Sequence, residues 1–179
     1  MINNIQSNQK KSILVRILFL PFRVIMRLWK SPVPLGLWLV NKLFQKVLRL
    51  NSEVPWMVHF TSRVTGDITI GENVWISFAV SGHYYIQGIN GVVIGDGSIF
   101  APGVKIISAN HELSDLKVWI KTNPIIIGKR CWIGANAIIL PSVELGDNVV
   151  VAAGSVVTQS FPENSVIAGV PAKLIKKLQ

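Results

Sequence analysis

At 179 residues, half of them hydrophobic, the chain has enough apolar material for one buried core and an appendage. Its single cysteine, Cys131, excludes a disulfide framework. The net charge of +9 belongs to one end: residues 1–50 hold nine Lys or Arg and no Asp or Glu, whereas residues 51–179 hold nine of each sign. A basic segment so rich in Leu, Ile, Phe and Trp points to an anionic membrane surface and away from nucleic acid.

The expected division is a basic amphipathic helical segment over 1–50 and a second unit over 51–179. From Ser12 to Lys30, Arg16, Arg23, Arg27 and Lys30 fall on one narrow side of a helix and almost everything else is apolar; Pro21 would kink it. After the break at Ser31-Pro32-Val33-Pro34, Lys42, Lys46 and Arg49 make a second basic stripe. A transmembrane span needs about 20 largely uncharged residues, and Arg16, Arg23 and Arg27 interrupt the first apolar window. No small-residue cleavage site follows a clean apolar core, so a signal peptide is not expected either. Two in-plane helices over residues 12–50, with cations reaching toward lipid headgroups, satisfy the pattern. So does packing of the same helices on the end of the following unit or between protomers.

The rest of the chain is organised by a period of six. From Ile127 every sixth residue is aliphatic: Ile133, Ile139, Leu145, Val151, Val157. Compact residues recur four places on, at Cys131, Ala137, Val143, Val149 and Ser155. The same phase holds upstream at Val58, Val64, Ile70 and Ile76, and again at Ile94, Phe100 and Ile106. Gly82 and Gly88 occupy the intervening places, so the expected ladder runs on there without its bulky residue, and Ile68, Val74, Val80, Ile86, Val92, Ser98 and Val104 fall at the compact position. Neither a helical nor a simple strand period gives a strict six. A short strand plus a tight corner does, and three such units close one triangular coil of a parallel β-helix. Gly71-Glu72-Asn73, Gly95-Asp96-Gly97 and Gly146-Asp147-Asn148 read as corners that need positive φ. Cys131 falls on an inward position and reads as a small buried hydrophobe.

The distance from Ile106 to Ile127 is not a multiple of six, so a loop leaves the solenoid at about 108–124. Insertions in a solenoid map to loops on one face and carry function. Upstream of it, the stretch from Ser81 to Asn90 is enriched in hydrogen-bonding and aromatic groups, which suits a carbohydrate surface; Tyr84 and Tyr85 serve equally as protomer contacts. After Phe161-Pro162-Glu163-Asn164 turns out of the ladder, a short basic C-terminal helix is expected.

Taken together, the hexad ladder, Ile107-Ser108-Ala109-Asn110-His111 before a loop, Trp132-Ile133-Gly134, Ala153-Gly154-Ser155-Val156-Val157-Thr158 and Ala168-Gly169-Val170-Pro171-Ala172-Lys173 resemble the hexapeptide-repeat acetyltransferases, nearest to the maltose and galactoside O-acetyltransferases and their polysaccharide-modifying relatives. The resemblance covers about residues 56–179. It implies a left-handed parallel β-helix, a homotrimer with active sites between neighbours, acetyl-CoA as acyl donor, direct transfer in a ternary complex and no metal. The family's catalytic histidine matches His111. A sugar hydroxyl is a poor nucleophile until a base takes its proton, and a positioned base is worth roughly 10²–10⁴-fold. Glu112 and Asp115 are the candidates to orient the imidazole.

The resemblance also assigns the donor side. Trp132 matches the aromatic beside the coenzyme, Ala135 and Ala153 match small positions along the pantetheine arm, and Thr158 and Lys173 match the nucleotide end, where a cation suits phosphate; Lys176 is a further candidate. On the acceptor side Ser77 stands where the sugar acetyltransferases carry asparagine, and the following segment lacks their paired aspartates, with Tyr84, Tyr85 and Gln87 nearby. Asn110 and Trp119 complete the acceptor set, Trp119 either stacking on a sugar ring or anchoring the loop.

The implied activity is O-acetylation of a hydroxyl on a glycan or glycolipid precursor, in the cytoplasm or peripheral on the cytoplasmic face of the inner membrane. A small soluble acceptor, a free sugar or an antibiotic, is the alternative, followed by a non-catalytic β-helical scaffold. A zinc hydratase on the same solenoid requires three converging histidines, and His59, His83 and His111 lack its closely spaced pair.

Overall fold

The computed structural model describes residues 31–179. The helix expected over Ser12–Lys30, with its kink at Pro21, lies outside the described residues. Helix α1 (Leu35–Lys42) continues through a π-helical turn, Leu43–Val47. Twelve strands and one further helix follow: β1 (Arg63–Ile70), α2 (Val74–Val80), β2 (Tyr85–Ile94), β3 (Ile99–Phe100), β4 (Lys105–Ile107), β5 (Ile125–Ile127), β6 (Trp132–Ile133), β7 (Ile138–Ile139), β8 (Glu144–Leu145), β9 (Val150–Val151), β10 (Val156–Val157), β11 (Ser165–Gly169) and β12 (Ala172–Lys177).

The pairing sorts these strands onto three faces of a prism. On the first face, β1, β2, β4, β7 and β10 stack in parallel and align Val64, Ile86, Ile106, Ile139 and Val157. On the second, the later halves of β1 and β2 stack with β5 and β8, aligning Ile70, Ile94, Ile127 and Leu145, with Phe161 bridging beyond. On the third, β3, β6, β9 and β11 align Phe100, Ile133, Val151 and Ile167. These three aliphatic columns meet inside and, apart from half-buried Ile70, are buried throughout. Each flat strand contributes one inward residue per pass, so stacking alone buries a continuous core. Cys131 lies in it, with burial pushing its thiol pKa up.

Corners follow the sequence expectation. Asn73, Gly97 and Asn148 have positive φ. The Asp96 Oδ1 accepts from Glu72 N at 2.9 Å, and Asp147 Oδ1 accepts from Lys129 N at 2.8 Å, so each aspartate ties its corner to a neighbouring one. Where β1 and β2 cross from the first face to the second, a Cβ on Gly66 would meet Gly88 backbone at 2.5 Å. Only glycine permits that approach.

Two expectations are corrected. Ile76, Gly82 and Gly88 do not continue the ladder: α2 stands where a third-face strand would, burying Val74, Phe78 and Ala79, and Ile86 carries the first-face column. From Ile70 to Ile94 the chain spends four hexads where one turn takes three, so the helix inserts without disturbing the six-residue phase. The short C-terminal helix is instead strand β12, antiparallel to β11. Gly169, at φ 105°, turns the chain back, and the tail then fills the open edge that β11 would otherwise present.

Candidate active site

The insertion at 108–124 is a small hairpin tied at its neck. Asn90 does the tying: its backbone N–H donates to Ser108 Oγ at 2.9 Å, and its Nδ2 donates to Ser108 O, Ile120 O and Thr122 Oγ1 at 3.0, 2.9 and 2.9 Å. Both stems of the hairpin therefore hang from one side chain. Buried Gln87 adds a contact, its Oε1 accepting from Ala109 N at 3.2 Å. Above the neck, Ile120 N donates to Asn110 O and Glu112 N to Val118 O, both at 2.8 Å.

This frame holds His111 opposite Trp119 across an antiparallel bridge. The imidazole and indole centroids are 3.7 Å apart with the planes tilted by 35°. Trp119 is thus an anchor of the loop and of the histidine ring. The expected orienting carboxylates are placed otherwise: Asp115 Oδ1 accepts from Lys117 N at 3.0 Å at the hairpin tip, and Glu112 contributes its backbone to the hairpin. His111 and Asn110 remain exposed to solvent.

The donor-side residues gather elsewhere. Trp132 projects from β6 on the third face and is 54% exposed, while its neighbour Ile133 points inward. Ala135 and Ala153 stack one coil apart at the corner between the third and first faces, where Gly154 N donates to Ala135 O at 2.8 Å. Lys173 lies on β12, opposite Ala168, beyond the third-face strands. An exposed indole, two methyl side chains and a terminal cation suit an apolar arm that ends in phosphates. Thr158 follows β10 at the corner from which the His111 hairpin leaves. Within one chain, then, Trp132, Ala135, Ala153 and Lys173 lie on one margin of the first face, and His111 with Thr158 on the other.

The acceptor set divides. Tyr84 is corrected to a core residue: its hydroxyl donates to Phe100 O at 2.7 Å, its ring meets Phe78 edge-on, and burial pushes the phenol pKa up to about 12. Ser77, on α2, accepts from Phe100 N at 3.2 Å and so joins the helix to the solenoid. Gln87 serves the hairpin neck. Tyr85 is exposed on the first face beside Lys105, and Asn110 and Trp119 stand next to His111. Asn90 was the residue that sequence reasoning did not single out; it lay inside the polar stretch ending at that position, with nothing to rank it above its neighbours.

A cavity of about 630 Å³ opens at the first second-to-third-face corner, lined by Trp56, Trp75, Glu72 and Asp96. None of the residues assigned to the reaction borders it. His59 and His83 share Thr61 at the first coil, apart from His111, and no group of three metal-ligating side chains occurs among the described residues.

A triangular parallel solenoid of this kind is also found in acetyltransferases of known structure. Residues 124–159 match the family described as the hexapeptide repeat of succinyl-transferase. The chain is 34% identical over 155 residues to Escherichia coli WbbJ, a protein named for O-acetyl transfer in lipopolysaccharide biosynthesis, covering 75% of this chain and 76% of that one. It is 34% identical over 132 residues to the Escherichia coli galactoside O-acetyltransferase, covering 62% and 64% of the two chains. A hexapeptide-repeat acetyltransferase of Vibrio cholerae, solved with acetyl coenzyme A, superposes with a TM-score of 0.56 at 27% identity, over 66% of this chain and 64% of that one. The chain belongs to the hexapeptide-repeat acetyltransferases, enzymes on a left-handed parallel β-helix.

Proposed function

We propose that the protein transfers an acetyl group to a hydroxyl of a glycan or glycolipid precursor, with His111 as general base. The separation of His111 from the donor-side margin carries this reading. Three like chains around an axis would set the His111 hairpin of one against Trp132, Ala135, Ala153 and Lys173 of the next, so the working unit is a homotrimer. Acetyl-CoA is the second substrate and supplies the activated acetyl group. His111 takes the acceptor proton as the new ester bond forms and returns it to the departing sulfur, so nothing is left to be regenerated. Trp119 keeps the imidazole in one plane meanwhile. The name of the lipopolysaccharide-biosynthesis relative favours a glycan acceptor.

Mixing inactive chains tests both halves of the reading. His111→Ala removes the base, and Ala153→Trp fills the donor groove. Each variant alone loses acetyl transfer by roughly 10²-fold or more. Co-refolded together, they regain activity when the site is shared between chains and stay inactive when each chain holds a complete site. Equal transfer to free galactosides or aminoglycosides would move the acceptor to a small soluble molecule.

A further inference from the structure

We propose that α1 is an interfacial anchor whose outward face docks the enzyme on an anionic lipid bilayer. A surface helix ordinarily turns its apolar side toward the core. In α1 and its π-helical turn the fully buried positions are instead polar, with Leu37, Trp38 and Phe44 packed part-buried beside them. Asn41 and Gln45 face inward and are buried: Asn41 Nδ2 donates to Ala79 O at 2.9 Å while its Oδ1 accepts from Phe60 N at 3.1 Å. Gln45 Nε2 donates to Val54 O at 3.1 Å and to Trp56 O at 2.7 Å. Those amide bonds fix the roll of the helix, because turning it over would strand buried backbone groups.

The outward side is aliphatic. Leu35, Leu39, Leu43 and Val47 form a row spaced by four and are 48–68% exposed, and Val40, Leu48 and Leu50 widen the patch. No described residue covers them. Lys42, Lys46 and Arg49 run along the same helix and its exit, and Lys42 Nζ lies 5.8 Å from the Trp38 ring centre. No acidic residue occurs anywhere in residues 1–50 to balance these cations.

Charge selects the occupant. A second copy would bring the same cations against this face, whereas an anionic bilayer offers opposite charge above an apolar layer. The aliphatic row enters below the headgroups and the cations remain at headgroup depth. No described helix is long and apolar enough to cross a membrane; α1 with its turn ends at Val47, short of the about 20 residues a span needs, so this helix attaches in-plane. This inference stands on α1 alone and does not depend on which acceptor is acetylated.

The test is flotation of the full chain with phosphatidylcholine vesicles and with vesicles enriched in phosphatidylglycerol. The protein is expected to float with the anionic vesicles and at least tenfold less with the zwitterionic ones. Neutralising Lys42, Lys46 and Arg49 to Gln is expected to weaken binding on the order of 100-fold. The Leu39→Glu/Leu43→Glu/Val47→Glu chain should lose flotation, with thermal midpoint and oligomeric state unchanged. A Leu43→Cys chain carrying an environment-sensitive fluorophore should shift to the blue only on anionic vesicles, since Cys131 is buried and stays unlabelled. The proposal is overturned if the wild-type chain stays at the bottom of the gradient, or if the triple glutamate chain floats equally well. It is also overturned if the fluorophore reports apolar surroundings before vesicles are added, which would mean that residues 1–30 or a second copy covers α1.

Discussion

The two halves of the solenoid obey different rules. From Ile125 to Val157 a turn of the coil takes three short strands, and each strand adds one inward aliphatic to its column. From Val64 to Ile107 each turn is disturbed: β2 spans two faces, α2 replaces a strand, and the His111 hairpin leaves at the end. The regular half buries its core by stacking, with Asp147 tying a corner and β12 covering the open edge. The irregular half exposes what stacking would have hidden, namely a helix for α1 to hydrogen-bond and a loop that carries His111. The proposed base and the proposed anchor thus both sit where the repeat is interrupted, and the repeat supplies the rigid margin opposite.

The sharpest way to break this contrast is to delete the same aliphatic side chain from each half. Ile139 is fully buried between Ile106 and Val157 in the first-face column. Ile139→Ala is expected to cost about 2–5 kcal/mol, because neither neighbour can close the space left behind. Ile76 holds the same phase in the sequence but lies half-exposed on α2. Ile76→Ala is expected to cost less than about 1 kcal/mol. Chemical denaturation of the two variants reads the difference; similar midpoints would show that position 76 is part of the ladder after all.

That pair also marks how far the sequence could be read. A six-residue count sees phase, not the number of turns. The extra hexad holding α2 left Ile94, Phe100 and Ile106 in step with Ile70, and the helix was invisible to it. Burial was equally hidden: Tyr84 and Tyr85 are neighbours of one type, yet one braces the core and the other faces solvent. The position of His111 was legible because it coincides with a break in period. Its clasp was not, because Asn90 acts through bonds to residues 18–32 positions away. The C-terminal strand was misread as a helix because a basic, aliphatic tail fits both, and only the open edge of β11 decides between them.

Asn90 offers the next-largest effect and bears on the irregular half alone. Asn90→Ala removes three hydrogen bonds that its Nδ2 donates at the hairpin neck, each pairing worth on the order of 1 kcal/mol. The expected result is a fall in kcat with little change in KM for acetyl-CoA, together with faster proteolysis within 108–124. A fall confined to the KM for coenzyme would show that the clasp does not position His111. Tyr84→Phe is the complementary control. It removes the hydroxyl bond to Phe100 O and is expected to destabilise by about 1–3 kcal/mol, since a buried carbonyl loses its donor. Acetyl transfer per folded molecule should be unchanged; a selective loss of activity would return Tyr84 to the acceptor side.

The smallest effect concerns the junction of α1 with the first coil. His59 stacks on Phe60, whose ring lies 5.2 Å from Phe44, and its Nδ1 is 2.9 Å from Thr61 Oγ1. Burial first, and then the nearby His83, hold its pKa below the usual 6.5. The unfolded chain therefore binds this proton at a higher pH than the folded chain does. Stability from the neutral ring is complete above pH 6.5 and declines as pH falls from there through the folded pKa. The thermal midpoint should drop modestly on acidification through that window, before the carboxylates titrate, and His59→Gln should flatten the slope. An unchanged slope in that variant would assign the acid sensitivity to another group, and the two halves of the solenoid would then respond to pH alike.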